Sequence, residues 1–183
     1  MRKVNAILTA GIIILFLIHG IMGAFSLMEI SPGGNSLMMM AGWAMIILIA
    51  VHTIIGIKLT ADTVKAMKRS GAGYFKENKL FWVRRASGVA VTVFIIAHVV
   101  IFEGVKDGEV YRLTVFGALE LTSQILLAVS IALHAVSNAK PMLLSFGFRG
   151  FKEAGLDIAL ILSLLLILMG AGFIIYYIRW NVI

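Results

Sequence analysis

Crossing the hydrocarbon core of a bilayer as a helix takes about 20 consecutive apolar residues, and this chain holds five such stretches, at about residues 4–28, 37–57, 86–102, 114–137 and 158–178. A segment in lipid must satisfy its backbone polar groups internally. The expected fold is therefore all-α, an integral membrane bundle of five transmembrane helices in one domain over residues 1–183. Composition agrees: 61% of residues are hydrophobic and only 14% charged, where a soluble domain carries about 25% charge. The first stretch outruns the apolar region of a secretory signal, about 7–15 residues, and contains His19. It is expected to be a retained span.

A net charge of +7 suggests nucleic-acid binding until it is mapped. Thirteen of the sixteen Lys and Arg fall at the N-terminus, between spans two and three, and between spans four and five. Only Lys106, Arg112 and Arg179 fall on the other side. By the positive-inside rule the N-terminus is expected in the cytoplasm and the C-terminus outside, in the cell membrane, with no nucleic-acid partner. Residues 58–85 form a basic cytoplasmic loop in this reading. Trp82 at the inner boundary, and Tyr176, Tyr177 and Trp180 at the outer one, suit interfacial anchoring.

There are no cysteines. Disulfides, thiolate-held iron–sulfur clusters and covalently attached haem are excluded. There are four histidines, His19, His52, His98 and His134, one in each of the first four spans. Ionisable side chains inside a membrane are rare and mark function by default, although a single histidine could simply hydrogen-bond between helices. Depth separates the two readings. With about 1.5 Å of rise per residue, His52 lies about 9 Å before Lys58 and His134 about 9 Å before Lys140. His98 lies about 20 Å beyond Arg85, and His19 about 24 Å from the inner end of its span. The four form two layers: His19 with His98 near the outer face, His52 with His134 near the inner one. Two imidazoles at one depth on facing helices are what bis-histidine haem ligation needs, so two b haems are expected. Zinc is disfavoured, because its sites add carboxylates or cluster their ligands more tightly.

Gly11, Gly20 and Gly23 around His19, Gly56 one turn past His52, and Ser130, Ser137 and Asn138 around His134 are small residues that suit a bulky planar group. Lys58, Lys140, Asn138 and Arg85 stand where haem propionates near the inner face would want cations or donors. A weak duplication is also visible, with 79 residues from His19 to His98 and 82 from His52 to His134.

Five spans, no cysteine and one histidine on each of the first four helices resemble the dihaem cytochrome b anchor of succinate:quinone oxidoreductases, fumarate reductases included. The resemblance covers the whole chain. It implies an inner haem on His52 and His134 and an outer haem on His19 and His98. It implies an enzyme activity only as the non-flavin membrane subunit of a succinate dehydrogenase or fumarate reductase, with no catalytic residue assigned in this chain. It also implies menaquinone or ubiquinone as substrate, and iron–sulfur and flavoprotein partners on the cytoplasmic face. The basic stretch from Leu59 to Trp82, which could form a short amphipathic surface helix, is the natural platform for them. The string Arg85-Ala86-Ser87-Gly88 is similar to a helix start that lies near the quinone pocket in related anchors, where it commonly opens the first helix rather than the third. That implies quinone roles for Arg85 and Ser87.

Quinone reduction consumes two protons, so carboxyl groups near the outer layer are candidates as well. Glu120, about two turns into span four, and Glu29, closing span one, are the two. Glu120 would equally be favoured by a helix N-terminus. Two other classes stand beside this reading. Cytochrome b subunits of hydrogenase, formate dehydrogenase or nitrate reductase type distribute their ligands less evenly among helices. A haem-free transporter or structural subunit would need no pairing of depths.

Overall fold

The computed structural model describes residues 1–71, 78–102, 104–107, 110–148 and 151–182. Among these, five helices are long and apolar enough to cross a membrane: α1 (Arg2–Leu27), α2 (Ser36–Ser70), α3 (Lys79–Ile101), α4 (Ala118–Ser145) and α5 (Phe151–Asn181). A short antiparallel hairpin of β1 (Gly104–Asp107) and β2 (Val110–Leu113) joins α3 to α4, pairing Gly104 with Leu113 and Asp107 with Val110.

The helices run past the apolar stretches, and the reason lies in their ends. α2 does not stop at Ile57. No Gly or Pro interrupts residues 58–70, and the helix stops at Gly71, whose φ of 63° is the left-handed conformation that favours glycine at a helix C-terminus. At the far end Asn35 caps it by accepting from the Leu37 N–H. α3 begins at Lys79 rather than Ala86, because the Asn78 carboxamide accepts from the Phe81 N–H. The basic loop expected over residues 58–85 is thus mostly helix: its first part extends α2 and its last part opens α3. A 35-residue α2 is about 52 Å long, well beyond a hydrocarbon core of about 30 Å. Of the cations used to orient the chain, Lys76 and Arg149 lie outside the described residues.

Packing divides the bundle into two hairpins and a brace. α1 packs on α2, α3 packs on α4, and α5 lies against both α1 and α4, with a smaller α1–α4 contact. Large apolar side chains cover the outside, in stripes such as Val89, Val93, Ile96 and Val100 on α3. Their spacing of three and four residues makes one exposed apolar helix face, of the kind that suits lipid. The main buried cluster gathers α5 residues Leu165, Met169, Phe173 and Tyr176 with Leu27, Leu113 and Phe116. Gly172 permits a close approach to another helix's backbone: a Cβ there would lie 3.3 Å from the Ala24 Cα. The β-hairpin is fastened to α5, as the Leu113 N–H donates to the Tyr176 hydroxyl at 2.8 Å and the Arg112 guanidinium sits 3.7 Å from the Trp180 ring centroid. Tyr176 is therefore a buried hydrogen-bond partner rather than the interfacial anchor expected of it.

Candidate functional site

The four histidines meet in twos. The His19 and His98 ring centroids are 6.0 Å apart with an interplanar angle of 72°. Those of His52 and His134 are 6.3 Å apart at 86°. Each couple takes one ring from the α1–α2 hairpin and one from the α3–α4 hairpin. The two pairs, His19 with His98 (termed outer) and His52 with His134 (termed inner), are those expected from helical rise.

The hydrogen bonds run the other way, inside each hairpin. His19 Nδ1 lies 3.4 Å from the Met38 carbonyl on α2, and His52 Nδ1 lies 3.4 Å from Thr9 Oγ1 on α1. His98 Nδ1 lies 2.7 Å from Gln124 Oε1 on α4, and His134 Nδ1 lies 3.3 Å from Ser87 Oγ on α3. The hydroxyls are already committed as donors, Thr9 to the Asn5 carbonyl and Ser87 to the Arg84 carbonyl. Their lone pairs are left to accept from an Nδ1–H. In all four rings the proton then belongs on Nδ1 and the free lone pair on Nε2. A ring nitrogen held by a second partner while the other is kept for a metal is the usual arrangement of a metal-binding imidazole.

These contacts also measure the two layers. Thr9 is ten residues before His19, and Ser87 is eleven before His98. The outer rings are matched by Gly42, ten residues before His52, and Gln124, ten before His134. On every helix the levels are three turns apart, or about 15 Å. Glycines let two of the rings lie against the neighbouring helix. A Cβ at Gly42 would lie 3.4 Å from His19 Cε1 and Nδ1, and one at Gly88 would lie 3.1 Å from His134 Cε1. The His134 backbone is held as well, its carbonyl accepting from Ser137 Oγ and Asn138 Nδ2. Arg84 Nε ties α3 to α4 by donating to the Ser137 carbonyl at 2.7 Å.

The donor set suits iron in a tetrapyrrole. A metal–imidazole bond is about 2 Å long and a ring nitrogen lies about 1.1 Å from its centroid, so two rings sharing one metal stand about 6 Å apart. Both couples have that separation. Any interplanar angle is compatible, because each ring turns about its own metal–nitrogen bond. Among the described residues no group of three or more His, Asp or Glu gathers anywhere, so each couple is a two-nitrogen site, short of the four ligands of a structural zinc.

Other expected site residues have different positions. Arg85-Ala86-Ser87-Gly88 does not open α3 but lies two turns inside it, and Ser87 and Gly88 both contact His134. Arg85 lies within electrostatic reach of His52 and His134 and over the Phe81 ring at 5.0 Å. Lys58 and Lys140 are exposed near the inner couple. Glu120 is not two turns into its helix. It stands in the first turn of α4, where its Oε2 accepts from the Gly117 N–H at 2.8 Å. Glu29 follows α1 with a φ of 57° and pairs with Arg179 Nη1 at 2.7 Å. Gly11 and Gly20 face Leu48 and Met169 rather than a histidine, and Gly56 faces nothing within 4 Å. Reading the sequence overlooked Thr9, Met38, Gly42 and Gln124. The one signal, a spacing of ten residues from a histidine shared by Thr9, Gly42 and Gln124 but not by Met38, becomes visible only once the helices are paired. Comparison of the chain with protein-family models, curated proteins and solved structures finds no match.

Proposed function

We propose that this chain is a dihaem cytochrome b, the membrane anchor through which electrons pass between a membrane quinone and a soluble dehydrogenase. The observation that carries the reading is the two histidine couples at 6.0 and 6.3 Å, with every Nδ1 engaged inside its own hairpin. A six-coordinate iron needs four further donors, and a porphyrin brings its own. When bound, haem supplies a one-electron carrier at each of two depths.

The residues of the chain do the positioning. His19 and His98 would hold the outer group, and His52 and His134 the inner one. Thr9, Ser87, Met38 and Gln124 orient the rings and keep Nε2 available. Arg85, with Lys58 and Lys140 at the membrane surface, offers cations on the side of the inner couple where propionates would emerge. In this reading the basic half, with the long C-terminal part of α2, faces the cytoplasm. Lys58, Lys65, Lys68 and Arg69 lie on that extension and make a docking surface for an iron–sulfur and flavoprotein pair of succinate dehydrogenase or fumarate reductase type. Quinone chemistry would belong near one of the layers, with Glu29, Glu120, Arg85 and Ser87 as candidate residues. The nearness of Arg85 to His52 and His134, and the contact of Ser87 with His134, support roles for both at that layer.

The test is a reduced-minus-oxidised spectrum of the purified chain with haem quantified per polypeptide. Two b haems per chain are expected, and co-purification of a flavin-containing partner would separate this class of anchor from other cytochromes b. A chain free of haem after expression with ample haem supply would refute the reading.

A further inference from the structure

The two couples differ in what their Nδ1 atoms meet. The inner rings face hydroxyls at 3.3 and 3.4 Å. The outer couple faces carbonyl oxygens, and one contact is short: Gln124 Oε1 to His98 Nδ1 at 2.7 Å. Gln124 is 0% exposed, one of only three buried polar residues among those described. A buried amide with an idle oxygen would be costly, so its orientation matters, and it is determined. Its Nε2 donates to Ser123 Oγ at 3.0 Å, and that hydroxyl donates onward to the Glu120 carbonyl at 2.8 Å. The oxygen is thereby turned to the imidazole. One face of the His98 ring is covered by Phe102, stacked at 4.4 Å and 28°. Among the described residues, the other three histidines have contacts of 3.3 to 3.4 Å.

We propose that Gln124 is a positioning residue that sets the redox potential of the outer haem, a role resting on the dihaem reading above. An Nδ1–H bonded to a good acceptor makes the imidazole a stronger donor through Nε2. Stronger donation favours the ferric over the ferrous iron and lowers the potential. The hydroxyls of the inner couple, at longer distance, do this less. Gln124 therefore makes the two carriers unequal, although both are ligated by two histidines.

The experiment is a potentiometric titration of the full chain, as wild type, Gln124→Met and Gln124→Glu, with haem content and low-temperature EPR of the ferric haems. The methionine keeps length and bulk but removes the acceptor. It is expected to favour the reduced form of one haem on the order of tenfold, about 59 mV for a one-electron couple, and to leave the other unmoved. The moved haem should be the one retained in His52→Ala. The glutamate keeps the acceptor and strengthens it, so it should shift the same haem the opposite way. The EPR signal of that haem alone should change. Two haems whose potentials stay put in both variants, or move together, would overturn the proposal while leaving the dihaem reading intact. Should the methionine variant lose its outer haem, the glutamate variant decides alone, and an unshifted potential there overturns the proposal. Absence of haem from the wild type would overturn the dihaem reading, and this inference with it.

Discussion

At the scale of single residues, each imidazole is fixed by one neighbour and offered to another. Removing a ring should therefore cost one site and spare the second. On the dihaem reading, His52→Ala is expected to leave one haem per chain of the two proposed, read by pyridine haemochrome assay. Loss of neither would break the assignment of ligands to layers. Glycine supplies a sharper contrast. Gly88 and Gly56 look alike as helical glycines near a histidine, yet a Cβ at Gly88 meets the His134 ring at 3.1 Å and one at Gly56 meets nothing within 4 Å. Gly88→Val is expected to push His134 aside and lower the affinity for the inner haem at least tenfold, while Gly56→Ala keeps both haems at full occupancy, as measured by spectral titration. The histidines themselves were legible in the sequence, because a polar ring in an apolar span stands out and helical rise gives its depth. Their supports were not. Thr9, Gly42 and Gln124 are ordinary membrane-helix residues, and only the pairing of α1 with α2 and of α3 with α4 brings them to a ring.

At the scale of elements, α5 carries no histidine, yet it touches both hairpins. The Ala24 backbone lies 3.3 Å from a Cβ placed at Gly172, and a main chain cannot give way as a flexible side chain does. Gly172→Leu is expected to prise α1 from α5. Thermal unfolding in detergent, followed by the haem absorbance, should show a lower midpoint with both sites failing together. Failure of a single site would mean that α5 is no brace. Number, order and apolar centres of the helices could be read directly, since hydropathy reports burial in lipid. The ends could not. Hydropathy falls after Ile57, but nothing in residues 58–70 breaks a helix, and α2 runs on until Gly71 turns left-handed. Likewise hydropathy puts Glu120 too deep, because apolar residues precede it and the cap at Gly117 is a matter of backbone geometry.

At the scale of the whole molecule, charge asymmetry makes a claim about which way the bundle sits. With no native cysteine, the claim is open to direct labelling. Lys65→Cys, on the exposed extension of α2, is expected to resist a membrane-impermeant maleimide applied to intact cells, and Val115→Cys, exposed before α4, to react. The reverse pattern would invert the bundle and move the docking surface to the other side. Each histidine couple spans both hairpins, and from this follows a rule for biogenesis. Neither hairpin alone owns a complete couple, so on the dihaem reading a nascent chain with only α1 and α2 inserted holds no finished site. On that reading, the His19–His98 site is complete once α3 has joined the first hairpin and the His52–His134 site only once α4 has, so each bound group would rivet one hairpin to the other.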